Sequence, residues 1–118
     1  MKLDNRQTGY FAENLAVEAL KKKDYQILET NFGSRFGEID IIAKDKDTLV
    51  FVEVKAKKGL DYGSPEEMIS RHKLKRVQNM AAVYMKGEDK SCRIDVVAIV
   101  LSGENELLRL THYENVYL

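Results

Sequence analysis

Two apolar runs joined by three polar residues constrain this chain most. "EIDIIAK", Glu38 to Lys44, leads through "DKD" into "TLVFVEV", Thr48 to Val54. Isoleucine, valine and phenylalanine favour strands, and two such runs across a short polar link read as a β-hairpin. Alternation puts Val50, Val52 and Val54 on one face of the second strand and Leu49, Phe51, Glu53 and Lys55 on the other. The first face is apolar throughout. The second turns from apolar to ionic, so Glu53 and Lys55 need water, each other, or a ligand.

The rest of the chain supplies cover for that hairpin. "GYFAENLAVEALKKK", Gly9 to Lys23, repeats Phe11, Leu15, Ala16, Ala19 and Leu20 at helical spacing. Asp4, Asn5 and Thr8 are its candidate caps, and Lys21 to Lys23 suit its negative end. "YQILETNF" reads as a strand before the turn "GSRFG". After the basic loop "KKGLDYGS", Ser64, Pro65 and Glu67 predict a capped helix running to Met85 or Lys86, with Gly87 just beyond. "CRIDVVAIV" and "ELLRLTHY" are strands separated by a turn at Gly103 to Asn105. The order α-β-β-β-α-β-β predicts an α/β fold, one mixed central sheet flanked by helices.

At 118 residues the chain is expected to be a single domain, 1–118. It contains no apolar run of the roughly 18 residues that span a bilayer and no signal-peptide pattern. One cysteine, Cys92, allows no internal disulfide, so the cytoplasm is the expected compartment, and no membrane association is expected. Net charge is zero but uneven. Residues 1–54 hold 8 Lys/Arg against 10 Asp/Glu, residues 55–90 hold 9 against 5, and residues 91–118 hold 2 against 4. A dedicated nucleic-acid binder usually has a pI above about 9; at pI 6.7 this chain must make any DNA contact through its middle segment.

The hairpin brings carboxylates together. If its turn leaves Asp45 and Lys46 unpaired, Asp40 opposes Phe51, one diagonal step from Glu53. If Asp45 to Thr48 are unpaired, Asp40 faces Glu53 directly; a three-residue loop without a bulge would separate them. Adjacent carboxylates repel unless protonated or bridged by positive charge. Hard divalent cations take oxygen ligands, Mg²⁺ commonly one or two carboxylates plus water and phosphate. Lys55 on the same face is suited to stabilise charge on a phosphate or to position a water. Asp40, Glu53 and Lys55 thus read as a metal-dependent phosphodiester-cleaving set. The bland alternative is a charged strand end that resists edge pairing, or a solvated Glu–Lys pair.

"GEIDIIAKDKDTLVFVEVKAK" resembles the signature of the YraN-type family of uncharacterised bacterial proteins. That family is placed in the PD-(D/E)XK nuclease superfamily, near the archaeal Holliday-junction resolvases. "AENLAVEALKKKDYQILETNF", "YGSPEEMISRHKLKRVQNMAAVYM", "CRIDVVAIV" and "THYENVYL" match in kind and order, so the resemblance covers nearly the whole chain. It implies a restriction-endonuclease-like core, Asp40 and Glu53 as metal ligands for Mg²⁺ or Mn²⁺, and Lys55 as the catalytic lysine. Glu13 matches a first-helix glutamate that supports the metal directly or through water. Where the family carries threonine and arginine after the lysine, this chain has Ala56 and Lys57.

Lys73 falls within the apolar stripe of the second helix, between Ile69 and Val77, with Arg76 at its edge. A lysine there either snorkels to water or reaches a phosphate or the carboxylates. Lys57, Lys58 and Tyr62 suit a loop that tracks a nucleic-acid backbone, or equally a solvated loop. Glu38 is expected to support the ligands by pairing with Lys55 or Arg35, Asp95 to pair with Arg93, and His72 and Cys92 to have no catalytic part. The function expected is a metal-dependent endonuclease acting on DNA, on branched or damaged structures. The alternative is a catalytically weak or inactive nucleic-acid-binding module working with a partner protein. A resolvase role would require a two-fold homodimer.

Overall fold

The computed structural model describes residues 5–116. The first helix, α1, is Asn5–Lys22, and the strands β1 (Gln26–Ser34), β2 (Gly37–Asp45) and β3 (Thr48–Lys58) follow it. A single 3₁₀ turn at Pro65–Met68 precedes the second helix, α2, Arg71–Met85; β4 is Cys92–Leu101 and β5 is Leu107–Tyr113. The expected order holds. The five strands lie in sequence order in one sheet, antiparallel except for β3 and β4, which run parallel from Leu49↔Cys92 to Lys58↔Leu101. A parallel pair needs a crossover, and α2 with its preceding turn supplies it.

The helices cover opposite faces of the sheet. Ala12, Ala16 and Leu20 of α1 pack on Ile41, Val50, Val52, Val97 and Ile99. Leu74, Val77 and Met80 of α2 pack on Ile39, Phe51, Ile94 and Val96. Small residues on the buried stripe of α1 let that helix lie close to the sheet. With both faces covered, β3 is buried over Val50–Val54 and β4 over Ile94–Leu101, which is why these stretches read as near-continuous apolar runs.

The start of the second helix differs from the expectation. Ser64 makes no side-chain cap hydrogen bond, and Ile69 is extended, so the chain after Pro65 completes one turn and breaks. Glu66 accounts for the break. It accepts two hydrogen bonds from Arg109, at 2.7 and 3.0 Å, and a third from the Tyr113 hydroxyl at 2.7 Å, fastening the turn to β5. The helix then restarts with Ser70 as its cap, whose Oγ accepts the Lys73 N–H at 3.1 Å. Asp4 lies outside the described residues, and Thr8 is inside α1 rather than at its cap. Lys57 and Lys58, expected in a loop, continue β3 as partners of Val100 and Leu101.

Candidate active site

The β2–β3 hairpin closes on the pair Asp45↔Thr48 and stays in register to Ile41↔Val52. Lys46 takes the left-handed conformation that the tight turn needs, with φ 55°. This register sets Asp40 and Glu53 at the same level, but the ladder stops one step short of them. The strands fork there. Asp40 Oδ2 accepts the Val54 N–H at 2.8 Å, satisfying a main-chain donor that the divergence would otherwise orphan in a buried strand.

The neighbouring strand is distorted at the same level. Pairing of β1 with β2 passes from Thr30↔Ile41 to Phe32↔Ile39, and Asn31, opposite Asp40, has φ 55°. Ile39 packs on the α2 side of the sheet and Ile41 on the α1 side. Residues two apart in a regular strand share a face, so the backbone twists at Asp40 and re-aims its carboxylate. Asparagine tolerates a left-handed conformation better than most residues. Asn31 is a site residue that the sequence reading missed; its signal is an asparagine inside a strand.

A cleft of about 620 Å³ opens at the fork, between the first half of α1 and the end of β3. Glu13, Asp40, Lys55, Lys57 and Lys58 line it. Glu53 lies behind it, 4% exposed, and holds two lysines on one oxygen: Lys73 Nζ is 3.0 Å and Lys55 Nζ 3.6 Å from Oε1. The cleft therefore contains two of the expected carboxylates and the expected lysine. The third carboxylate is turned toward α2.

Burial pushes the Asp40 carboxyl up to about 7, reinforced by the negative charge of Glu53 and opposed by the Val54 N–H; Glu13 raises it further and Lys55 lowers it. Glu13 is raised by burial and by Glu38 and Glu53, against a hydrogen bond from Asn31 that favours its charged form. The two lysines diverge. Lys55 is lowered by burial and by the neighbouring Lys73, whereas Lys73, although burial works against it, is raised by Glu53. The fork is thus short of positive charge at Asp40 and supplied with it at Glu53. Among the described residues no three carboxylate, imidazole or thiol groups are gathered so that they could hold a metal ion between them. Two oxygen-donor carboxylates, one of them poorly compensated, suit a hydrated hard cation that keeps several waters rather than a structural metal.

The remaining expected residues are scattered. Arg76 lies against Gly37, where a Cβ would meet its Cδ at 3.3 Å and φ is +127°, so glycine is required. Its guanidinium is 3.3 Å from His72. Tyr62 projects from the loop after β3, 93% exposed. Glu38 is exposed and, among the described residues, pairs with neither Lys55 nor Arg35; its charge reaches the site by raising Glu13. Arg35 instead stacks on Phe36.

Asp95 pairs with Arg93 at 3.0 Å, and the pair belongs to a second polar network that runs from Asp45 at the hairpin turn to His112 on β5. His112 Nε2 donates to Asp95 Oδ2 at 2.7 Å, and the Asn115 N–H donates to Oδ1 at 3.0 Å. Arg93 also reaches Tyr25, Asp45 and Glu114. The partners come from Tyr25 just before β1, from β2, β5 and the segment after it, and only the Arg93–Asp95 spacing marks them in sequence.

Residues 12–99, from the α1 glutamate through the hairpin to β4, match the uncharacterised protein family UPF0102. The chain belongs to this family. A UPF0102 protein of Dictyoglomus turgidum is 37% identical over 118 residues, covering 98% of this chain and all of the relative. One from Caldicellulosiruptor bescii is 46% identical over 109 residues, covering 89% and 92%. One from Persephonella marina is 46% identical over 95 residues, covering 78% and 82%. The matched span holds every residue of the fork: Glu13, Asn31, Asp40, Glu53, Lys55 and Lys73. Among the described residues no helix is long and apolar enough to cross a membrane.

Proposed function

We propose that this UPF0102 member is a metal-dependent endonuclease that hydrolyses phosphodiester bonds in DNA. The observation that carries the reading is the fork itself. Two carboxylates sit at one level of two diverging strands, and a lysine two residues along β3 lines the cleft between them. Asp40 and Glu53 would hold Mg²⁺ or Mn²⁺, with Glu13 contributing through water. The bound cation would supply Lewis-acid polarisation of the phosphate and a water of lowered pKa. Lys55 donates to a phosphate oxygen and orients the attacking water from the cleft wall. Lys57 and Lys58 extend the same wall with positive charge for the flanking backbone. The uneven charge of the chain agrees, because three lysines of the basic middle segment, Lys55, Lys57 and Lys58, line this cleft.

One observation favours a second reading, a DNA-binding module without turnover that works with a partner protein. Glu53 is already occupied by two lysines. Cleavage of labelled four-way junction, flap, duplex and single-stranded DNA in Mg²⁺, Mn²⁺ or EDTA separates the two. Metal-dependent cutting that is lost in Glu53→Gln supports the nuclease and reveals the preferred structure, branched or damaged DNA being the first candidates. Binding that falls with salt, survives Glu53→Gln and yields no product supports the module. Equal cutting by wild type and Glu53→Gln would overturn the nuclease assignment.

A further inference from the structure

Lys73 is held in a place its own helix does not favour. It is the third residue of α2, in a first turn that contains Arg71 and no acid. The positive end of a helix dipole disfavours cations there. The Ser70 cap nonetheless fixes this turn by accepting the Lys73 N–H. The stem lies over the apolar stripe, and the ammonium ends 3.0 Å from Glu53 Oε1. What compensates Lys73 is therefore the buried Glu53. Lys55, 3.6 Å from the same oxygen, also lines the cleft, where the proposed function already uses it. The Lys73 side chain is 28% exposed and has solvent to move into.

We propose that Lys73 is the built-in counter-ion of the site: it holds Glu53 back from the cleft until a divalent cation takes Glu53 and a phosphate takes Lys73. This rests on the metal-dependent reading above and adds a coupling to it. A cation at Asp40 and Glu53 would face two ammonium groups on one of its ligands, so the lysine that can leave must do so. Once displaced, Lys73 is free to pair with the phosphate drawn in by the cation. Cation and nucleic acid therefore bind cooperatively, each clearing the way for the other, and linkage requires the effect to be reciprocal.

Equilibrium Mn²⁺ titration tests this without reference to turnover. In DNA-free protein, Lys73→Met and Lys73→Gln should bind Mn²⁺ about tenfold more tightly than wild type, because a like charge beside a ligand is removed. Lys75→Met, which loses the same charge from the same helix without touching Glu53, should change affinity less than about twofold through screened, longer-range charge. A phosphorothioate oligonucleotide should tighten Mn²⁺ binding in wild type by about the same tenfold and do so much less in the Lys73 variants. Equal affinities for Lys73→Met, Lys75→Met and wild type would overturn the counter-ion assignment while leaving the metal site standing. Absence of Mn²⁺ binding to wild type, or binding unchanged in Glu53→Gln, would overturn the metal site and the inference with it.

Discussion

Two carboxylates lie at almost one level of the sheet, Asp40 on β2 across from Glu53 and Asp95 on β4 beside Val52, and their surroundings treat them oppositely. Asp95, fully buried on β4, receives His112, Arg93 and the Asn115 N–H. Burial works against its charge, yet these partners outweigh it and hold its pKa below the ordinary value. Asp40, at the fork, receives one main-chain N–H and faces Glu53 and Glu13, so its pKa climbs to about 7. The satisfied network ties the end of β1, the segment after β5 and the core together. The unsatisfied group lines an open cleft. A carboxylate left uncompensated beside a cleft is the signature expected where a ligand completes the charge, and the contrast within one sheet separates a compensated acid from an uncompensated one.

Removing each acid should break the symmetry most visibly. Asp95→Ala leaves Arg93, His112 and a main-chain donor facing an apolar gap, and should cost about 3–5 kcal/mol by denaturant unfolding. Asp40→Asn keeps an oxygen for the Val54 N–H and removes the repulsion from Glu53 and Glu13. Its stability should match or exceed wild type, within about 1 kcal/mol, in the absence of divalent cations. Equal losses in the two variants would mean that the fork is held together by Asp40, and the distinction drawn here would fail.

Acid should act on the two carboxylates with opposite signs. Asp40 has a folded pKa of about 7 against an ordinary carboxylate value near about 3.9. Between those values the folded chain binds a proton that the unfolded chain does not, so its contribution falls as pH rises from about 4 to about 7. Asp95 has a lowered folded pKa. Its contribution is present above the ordinary carboxylate range and is lost as pH falls through its depressed folded value. Wild type minus Asp40→Asn should therefore show a stability difference that declines with pH between about 4 and 7. A flat difference across that window would show that Asp40 titrates normally.

Much of the fold was legible because hydrophobic period, turn residues and hairpin spacing act locally. The order of elements along the chain follows from hydrophobic period and turn residues, and the facing of Glu53 with Phe51 from alternation. The approach of Asp40 to Glu53 was narrowed to two registers, and the structure adopts the one that sets them level, with Asp45↔Thr48 as its closing pair. What escaped depends on contacts distant in sequence. Glu66 stops the first turn of the second helix because Arg109 and Tyr113, more than forty residues away, claim its carboxylate. The His112–Asp95 pair and the hold of Asn31 on Glu13 are tertiary in the same sense. That Lys73 lies on Glu53, rather than in the cleft, needed the crossing of α2 over β3.

The smallest effect asks whether strain at the fork serves the site. Each of the two acids has beside it an asparagine in the left-handed conformation, Asn31 at φ 55° and Asn115 at φ 56°. They serve their acids differently: Asn31 through its side chain to Glu13, Asn115 through its main-chain N–H to Asp95. Glycine adopts this conformation freely but loosens the unfolded chain, so either Asn→Gly change should alter stability by no more than about 0.5 kcal/mol. Asn31→Ala, which must hold a Cβ in the same conformation, should lose about 1 kcal/mol. Site-resolved carboxyl titration by NMR then separates the two glycine variants. In Asn31→Gly the donor that favours ionised Glu13 is gone and its midpoint should move up. In Asn115→Gly the N–H remains and the Asp95 midpoint should stay low. Unmoved Glu13 in Asn31→Gly would make the left-handed Asn31 a feature of strand geometry alone, and the fork would owe its charge imbalance to Asp40 and Glu53 without help from β1.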